Sequence, residues 1–384
     1  MITVLFISLL SSAVSAFFIV RFSHLHQHVT SDTAFGEGPQ KIHHEITPRI
    51  GGVAIAIGLI AGLLAAVQTD VLSGKKFQMW ILCVTPIFFA GLAEDITKKV
   101  GARWRLGAAF GAALLALILL DGEVPPPGTA AFIGQPFYPA LCVAFTLFAV
   151  GGVTHAFNIM DGLHGLLGGM SILTLAALAW MSDRIGDSEL FIACLSLLGG
   201  VFGFLIFNFP FGKLFAGDAG AYLIGFVIAE ISVLLSARHP EVSPWFILLL
   251  LAYPVTEVLF SIYRRSFLKQ QPAGKPDGLH LHSLLYKRIG IWIWDDDTNV
   301  LAKALSNSFA TVLVWVLMLL PLGMAVLFCD RPPLLICGCI GFMLCYVSLY
   351  WGLVRFKTPR WLLWIKAVRY HKNAKRLLDP ACRE

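Results

Sequence analysis

Four short polar segments, Ala93–Lys99, Asn158–Gly162, Phe215–Gly220 and Pro276–His282, hold most of the side chains in this chain that could do chemistry. Each interrupts an oily stretch near its end. Carboxylates and imidazoles gathered this way suit metal-assisted chemistry on a charged substrate.

Glu94 and Asp95 are followed by Lys98, Lys99, Arg103 and Arg105. The cations alone read as an ordinary solvated loop. Adjacent acids at a membrane edge are costly to desolvate, and such a pair could hold a metal or act as a base, because like charge raises one pKa while cations lower it. Asn158 and Asp161 are three apart and share a face if their turn is helical; the plainer reading of Asp161 is a cap for the next span. Asp218 has glycines on both sides, which leaves room for a ligand against the backbone. A hard carboxylate there suits Mg²⁺, a helix cap being the alternative. His280 and His282 alternate, so an extended stretch would put both rings on one face. With Arg264, Arg265, Lys287 and Arg288 in the same loop they make a diphosphate clamp, against the plainer reading of surface histidines. His24, His26 and His28 have no acidic or cysteine companion and do not read as a metal site. Glu230 lies inside a span, where a packing role is expected. Asp295, Asp296 and Asp297 read as a solvated loop that caps a helix.

The elements that must position these groups are membrane helices. The chain is 57% hydrophobic and 14% charged with a mean hydropathy of +0.77. The expected fold is therefore all-α, a polytopic integral membrane bundle. Apolar spans of about twenty residues fall at 2–20, 50–68, 77–93, 106–121, 138–158, 162–182, 189–209, 215–236, 244–263, 308–328 and 333–354, about 11 transmembrane helices. The first lacks a basic leader and a convincing cleavage site and reads as an anchor. With the N-terminus outside, 24 of the 29 Lys and Arg residues fall on the inner side, which predicts an N-out, C-in arrangement.

Residues 1–354 form the expected membrane domain with cytoplasmic catalytic loops. Residues 355–384 interleave tryptophans with arginines and lysines and read as a basic interfacial tail. The basic inner face suits phosphorylated ligands and anionic membrane lipid. No soluble module carries a nucleic-acid reader, so no nucleic acid is expected. Eight cysteines show no paired metal spacing and read as apolar filler.

The order and spacing of these segments resemble the polyprenyl-phosphate N-acetylhexosamine-1-phosphate transferases, a family that includes enzymes initiating bacterial O-antigen and the phospho-MurNAc-pentapeptide transferase. The resemblance runs from about Lys41 to Arg288. It rests on Thr47-Pro48-Arg49-Ile50-Gly51-Gly52, on Glu94-Asp95 where that family has an aspartate pair, and on Asn158 to Gly162. Asn208 with Phe215-Ala216-Gly217-Asp218 and His280-Leu281-His282 complete it. Departures are Glu94, His164 in place of a second aspartate and His155 in place of an asparagine. The absence of a triple histidine leans away from a MurNAc-pentapeptide donor.

The resemblance implies an enzyme of the bacterial inner membrane that transfers a sugar-1-phosphate, GlcNAc-1-phosphate or a related one, from a UDP-sugar to undecaprenyl phosphate, releasing UMP with Mg²⁺ or Mn²⁺. Carried over, Asp218 is the metal ligand, and Asp95, Glu94 and Asp161 are catalytic, Asp95 as base or nucleophile. Asn158, Asn208, Phe215, His280, His282, Lys99, Arg105 and Arg265 meet the substrates, Phe215 by stacking on uracil. A homodimer is an open assembly state. A secondary transporter of a small anionic solute is the competing class, and a non-catalytic scaffold a third. Transporters place binding groups near the midplane on repeated, broken helices, whereas here the polar groups lie at span ends and no repeat is visible.

Overall fold

The computed structural model describes residues 1–31, 47–126, 129, 132–269, 278–290 and 300–355. Among these the architecture is helical, with α1 (Ile2–Arg21), α2 (Ser23–Thr30), α3 (Gly51–Gln68), α4 (Gly74–Thr97), α5 (Ala102–Leu120), α6 (Tyr138–Met160) and α7 (Leu166–Arg184) leading in chain order. There follow α8 (Ser188–Asn208), α9 (Gly217–Arg238), α10 (Pro244–Leu250), α11 (Ala252–Tyr263), the short α12 (Leu281–Leu285), α13 (Val300–Leu327) and α14 (Pro332–Val354). Ten of these helices are long and apolar enough to cross a membrane, and α10 with α11 makes an eleventh if the bent pair is one span. The chain is a multi-pass membrane protein. The tail at 356–384, Asp295 to Asp297 and the Pro276-Asp277 part of the histidine segment lie outside the described residues.

The ninth span differs from expectation. A single helix over 244–263 is expected from hydropathy, but the two pieces meet at a 77° bend around Leu251. Pro254 is the reason: it has no N–H to donate to the Leu250 carbonyl, and its ring crowds that carbonyl. The bend swings α11 away from the path of α10.

The centre of the bundle is α9, nearly all of whose residues are buried. Without a hydrophobic drive between helices in lipid, close packing of small residues and side-chain bonds to backbone hold such a centre. Gly52 of α3 is one such close approach, because a Cβ there would stand 2.3 Å from the backbone nitrogen of Gly220. On the other side of α3, Ser8 and Ser12 of α1 donate to the carbonyls of Ser196 and Gly200 on α8, at 2.5 and 2.6 Å. At the end of the bundle remote from Asp218, Glu189 joins three helices. It accepts from the Trp80 indole at 3.2 Å and from Arg238 at 3.1 Å, with Lys76 at 3.3 Å.

One helix is absent from the expectation. Ser23–Thr30 forms α2, in which His26 bonds the Thr30 hydroxyl at 2.6 Å and faces the Ile19 carbonyl at 3.1 Å. That role closes the corner between α1 and α2.

Candidate functional site

The site is built on the first turn of α9. The segment before it pairs with the segment before α3: Phe215 N–H donates to the Pro48 carbonyl, and Gly51 and Gly52 N–H groups donate to the carbonyls of Phe215 and Ala216, at 2.8 to 2.9 Å. Gly217 then takes φ +69°, and a Cβ there would lie 2.0 Å from the Arg49 carbonyl oxygen and 2.6 Å from Asp95 Oδ2. Only glycine meets both demands.

Asp95, near the end of α4, is 1% exposed. Its Oδ1 accepts the Asp218 N–H and its Oδ2 the Ala219 N–H, each at 2.9 Å. It thus caps α9 from another helix, satisfying two N–H groups that have no partner within α9. Asp218 itself turns toward the cluster. Its Oδ2 pairs with the Arg105 guanidinium, its Oδ1 accepts from the Asn158 amide at 3.1 Å, and Arg49 stands 4.0 Å away.

Asp161 closes the ring from the end of α6, near Arg49, Asp218 and the Gly217 N–H. Burial pushes its carboxyl up to about 6. Arg105 also lies over the ring of Tyr222 at 6.0 Å, and His155 meets that ring edge-on at 5.0 Å.

The histidine segment reaches the same place. His280 is an extended residue ahead of α12 and His282 lies in its first turn, and their rings stack 5.4 Å apart with planes 5° from parallel. The shared face arises from a helix start; a fully extended stretch is not present. His282 abuts the Asp161 turn, since a Cβ on Gly162 would lie 3.0 Å from its Nε2. Burial holds the His282 imidazole down at about 4.

Other expected residues stand further back. Glu94 turns away from Asp95 and accepts the Val100 N–H at 2.7 Å, closing the loop after α4. Asn208 is buried with both ends of its amide used: it accepts the Gly165 N–H at 2.6 Å and donates to the Leu214 carbonyl at 2.7 Å. This ties the Asp161 turn to the Phe215 loop. Lys99 is exposed in the loop after α4, and Arg265 is half-buried in the π-helical turn Arg264–Lys269. Phe215 is half-buried, with His164 at 5.8 Å under its ring.

Sequence reading gave no role to Arg49, although it stands in the quoted Thr47 to Gly52 segment. A lone arginine in an opening motif carries no sign of the carboxylates it will meet. It also missed the polar start of α13. Asn307 accepts the His164 N–H at 2.7 Å, Thr311 donates to the His164 carbonyl at 2.8 Å, and Ser308 donates to the Pro210 carbonyl at 2.6 Å. The i, i+1, i+4 spacing of three polar residues in an apolar helix is the signal that could have found them.

The cluster contains Asp95, Asp161 and Asp218 against Arg49 and Arg105, an excess of carboxylate before any anionic ligand arrives. Among the described residues no group of three or more His, Cys, Asp or Glu side chains could hold a metal by itself. Mg²⁺ takes few protein carboxylates and fills its shell with phosphate oxygens and water, so a site completed by an anionic substrate fits this donor set.

An apolar cavity of about 590 Å³ lies between α6, α9, α10 and α11, reaching from Ser236 and Ala237, at the end of α9 remote from Asp218, toward the cluster end. Phe145, Phe148, Trp245 and Leu259 line it, and Ala156, two residues before Asn158, lies at its wall.

The model of glycosyl transferase family 4 matches residues 77–236. A Bacillus subtilis (strain 168) protein named probable undecaprenyl-phosphate N-acetylglucosaminyl 1-phosphate transferase is 31% identical over 256 residues, covering 64% of this chain and 67% of the relative. A Thermotoga maritima undecaprenyl-phosphate alpha-N-acetylglucosaminyl 1-phosphate transferase is 29% identical, over 66% of this chain and 72% of its own. A Lactobacillus johnsonii phospho-N-acetylmuramoyl-pentapeptide-transferase is also 29% identical, over 73% and 88%.

Proposed function

The chain belongs to the polyprenyl-phosphate N-acetylhexosamine-1-phosphate transferases of glycosyl transferase family 4, and from that membership we propose that it transfers N-acetylhexosamine-1-phosphate from a UDP-sugar to undecaprenyl phosphate. The products are the polyprenyl-diphosphate sugar, which begins a cell-surface glycan such as O-antigen, and UMP. The observation that carries the reading is the convergence of Asp218, Asp161, Asn158, Arg49 and Arg105 at one end of the bundle, with an apolar cavity running along α6, α9 and α11 from the other end toward it. The cluster suits phosphates and the cavity suits a polyprenyl tail.

The positive-inside bias of the sequence supports a cytoplasmic position for this end, where UDP-sugars are available. Arg49 and Arg105 draw the two anionic substrates together, and Phe215 offers a ring face to the uracil. Asp218, with Asp161 beside it, would hold a divalent cation such as Mg²⁺ or Mn²⁺ once substrate phosphates complete its shell. That ion supplies charge neutralisation and Lewis-acid polarisation of phosphoryl oxygens.

An oxygen of the lipid phosphate attacks the β-phosphorus of the donor in line. The bond from that phosphorus to the bridging oxygen breaks, and UMP leaves with the bridging oxygen. The attacking group is already an oxyanion near neutral pH, the second pKa of a phosphate monoester being about 6, so the step does not require a general base. Both Asp95 oxygens are spent on backbone N–H groups, which favours Asp95 as the residue that positions Asp218 over the base or nucleophile expected from the sequence.

The test is to incubate purified protein with UDP-GlcNAc, undecaprenyl phosphate and Mg²⁺ and to measure UMP. Release that requires the lipid phosphate supports the reading. Solute uptake into sealed vesicles without nucleotide consumption would support a transporter instead.

A further inference from the structure

Glu257 is a carboxylate 1% exposed on α11, and the transfer chemistry described above does not use it. Its Oε1 lies 2.8 Å from His280 Nδ1 and its Oε2 accepts the Leu281 N–H at 3.2 Å. The Ser261 hydroxyl sits between, 3.4 Å from Oε1 and 3.3 Å from the same ring nitrogen. The remaining titratable groups around this carboxylate are His282 from α12 and Tyr346 from α14, with Tyr253 one turn earlier on α11.

An ionised carboxylate only accepts hydrogen bonds, so the nitrogen facing it carries the proton. His280 is thereby fixed with a hydrogen on Nδ1, and the neutral ring keeps its lone pair on Nε2. His282 turns its own Nδ1 to the Tyr253 hydroxyl at 3.1 Å, and its Nε2 faces Gly162. Both Nδ1 atoms therefore face α11, at residues one turn apart, and the rings are nearly parallel. The Nε2 edge of His280 accordingly faces the same side as that of His282, toward the turn that carries Asp161.

We propose that Glu257 is a positioning residue that sets His280 as a hydrogen-bond acceptor for the uncharged part of the donor. This rests on the transferase reading and deepens it. The donor's phosphates carry no hydrogen at neutral pH, whereas its hydroxyl and acetamido N–H groups do. A lone pair at Nε2 can therefore accept from hydroxyl, acetamido N–H or uracil N–H groups of the sugar nucleotide and not from its phosphates, in contrast to the diphosphate clamp that the sequence suggests.

Glu257→Gln tests this. The amide oxygen can still accept the Leu281 N–H, while its NH₂ group donates to His280 Nδ1 and drives the ring hydrogen to Nε2. Nitrogen-15 NMR of histidine-labelled protein, with His280 assigned by its loss in His280→Ala, should show the Nδ1–H form in the native protein and the Nε2–H form in Glu257→Gln. UMP release by Glu257→Gln should show kcat/KM for UDP-GlcNAc lowered about 10- to 100-fold, and the Glu257→Gln/His280→Ala double variant should equal His280→Ala alone. An Nε2–H or doubly protonated His280 in the native protein at pH 7.5, or losses that multiply in the double variant, would overturn the proposal. If native protein releases no UMP with any donor, the transferase reading fails, and the NMR comparison still decides the role of Glu257.

Discussion

Asp95 holds Asp218 by its backbone: the two residues belong to different helices, and the carboxylate of one accepts the N–H of the other at 2.9 Å. The side chain of Asp218 is left to face Arg105, Asn158 and Arg49. The position of α9 along its own axis, and hence of the cluster, is therefore set by α4.

Asp95→Asn keeps one acceptor and sets an NH₂ group against the other N–H. A buried donor left without a partner costs about 1–3 kcal/mol, so the melting temperature should fall and UMP release should fall with it. A large loss of kcat at an unchanged melting temperature would instead make Asp95 a base or nucleophile.

Arg105 pairs with Asp218 from the first turn of α5. Removing a cation that stabilises charge on a transferring phosphoryl group typically costs about 10²- to 10³-fold. Arg105→Ala should lower kcat/KM by that order. Arg105→Lys should recover only part, because an ammonium lacks the planar fork. Equal rates for Arg105→Lys and the native enzyme would show that point charge alone suffices.

Phe215 tests donor recognition. Its ring is backed by His164 and offers its other side outward. Phe215→Ala should raise KM for UDP-GlcNAc about 10-fold, in line with an aromatic pair worth about 0.5–1.5 kcal/mol, and leave the KM for the lipid phosphate unchanged. Phe215→Trp should restore it. A rise in the lipid KM would move Phe215 to the acceptor side.

How much of this was legible in sequence follows from the range of each interaction. Hydropathy over twenty residues marks every long span, because each is built of apolar residues whether it faces lipid or, like α9, other helices. The bend at Leu251 escapes that average, since Pro254 changes a single hydrogen bond and no hydropathy value. Asp218 and Asp161 stand out as carboxylates among glycines. Glu257 was passed over because its partner, His280, lies 23 residues away, across a loop of no fixed period. Asn208 illustrates the opposite case: its motif was visible, but its bonds to Gly165 and Leu214 required the fold.

Acid should destabilise the protein through two histidines outside the spans. Burial holds His164 and His282 at about 4, well below the ordinary value of 6.5. Between those values the unfolded chain binds protons that the folded chain does not. Their contribution is whole above about pH 6.5 and is lost toward pH 4, at about 1.4 kcal/mol per pH unit for each. Asp161, raised to about 6, acts in the opposite sense below that pH and offsets one of the two. The melting temperature of the native protein relative to that of His164→Gln should fall from pH 7.5 to 5. A difference between the two that stays constant over this range would show that the His164 ring is not held neutral.

The most direct measurement follows phosphorus. With UDP-GlcNAc labelled at its β-phosphate, undecaprenyl phosphate and Mg²⁺, the label should pass into the lipid fraction in step with unlabelled UMP, and Asp218→Asn, folded and of native melting temperature, should abolish both. Label that stays in the aqueous phase, or an Asp218→Asn variant that turns over at the native rate, would contradict the assignment of this cluster as the transfer site.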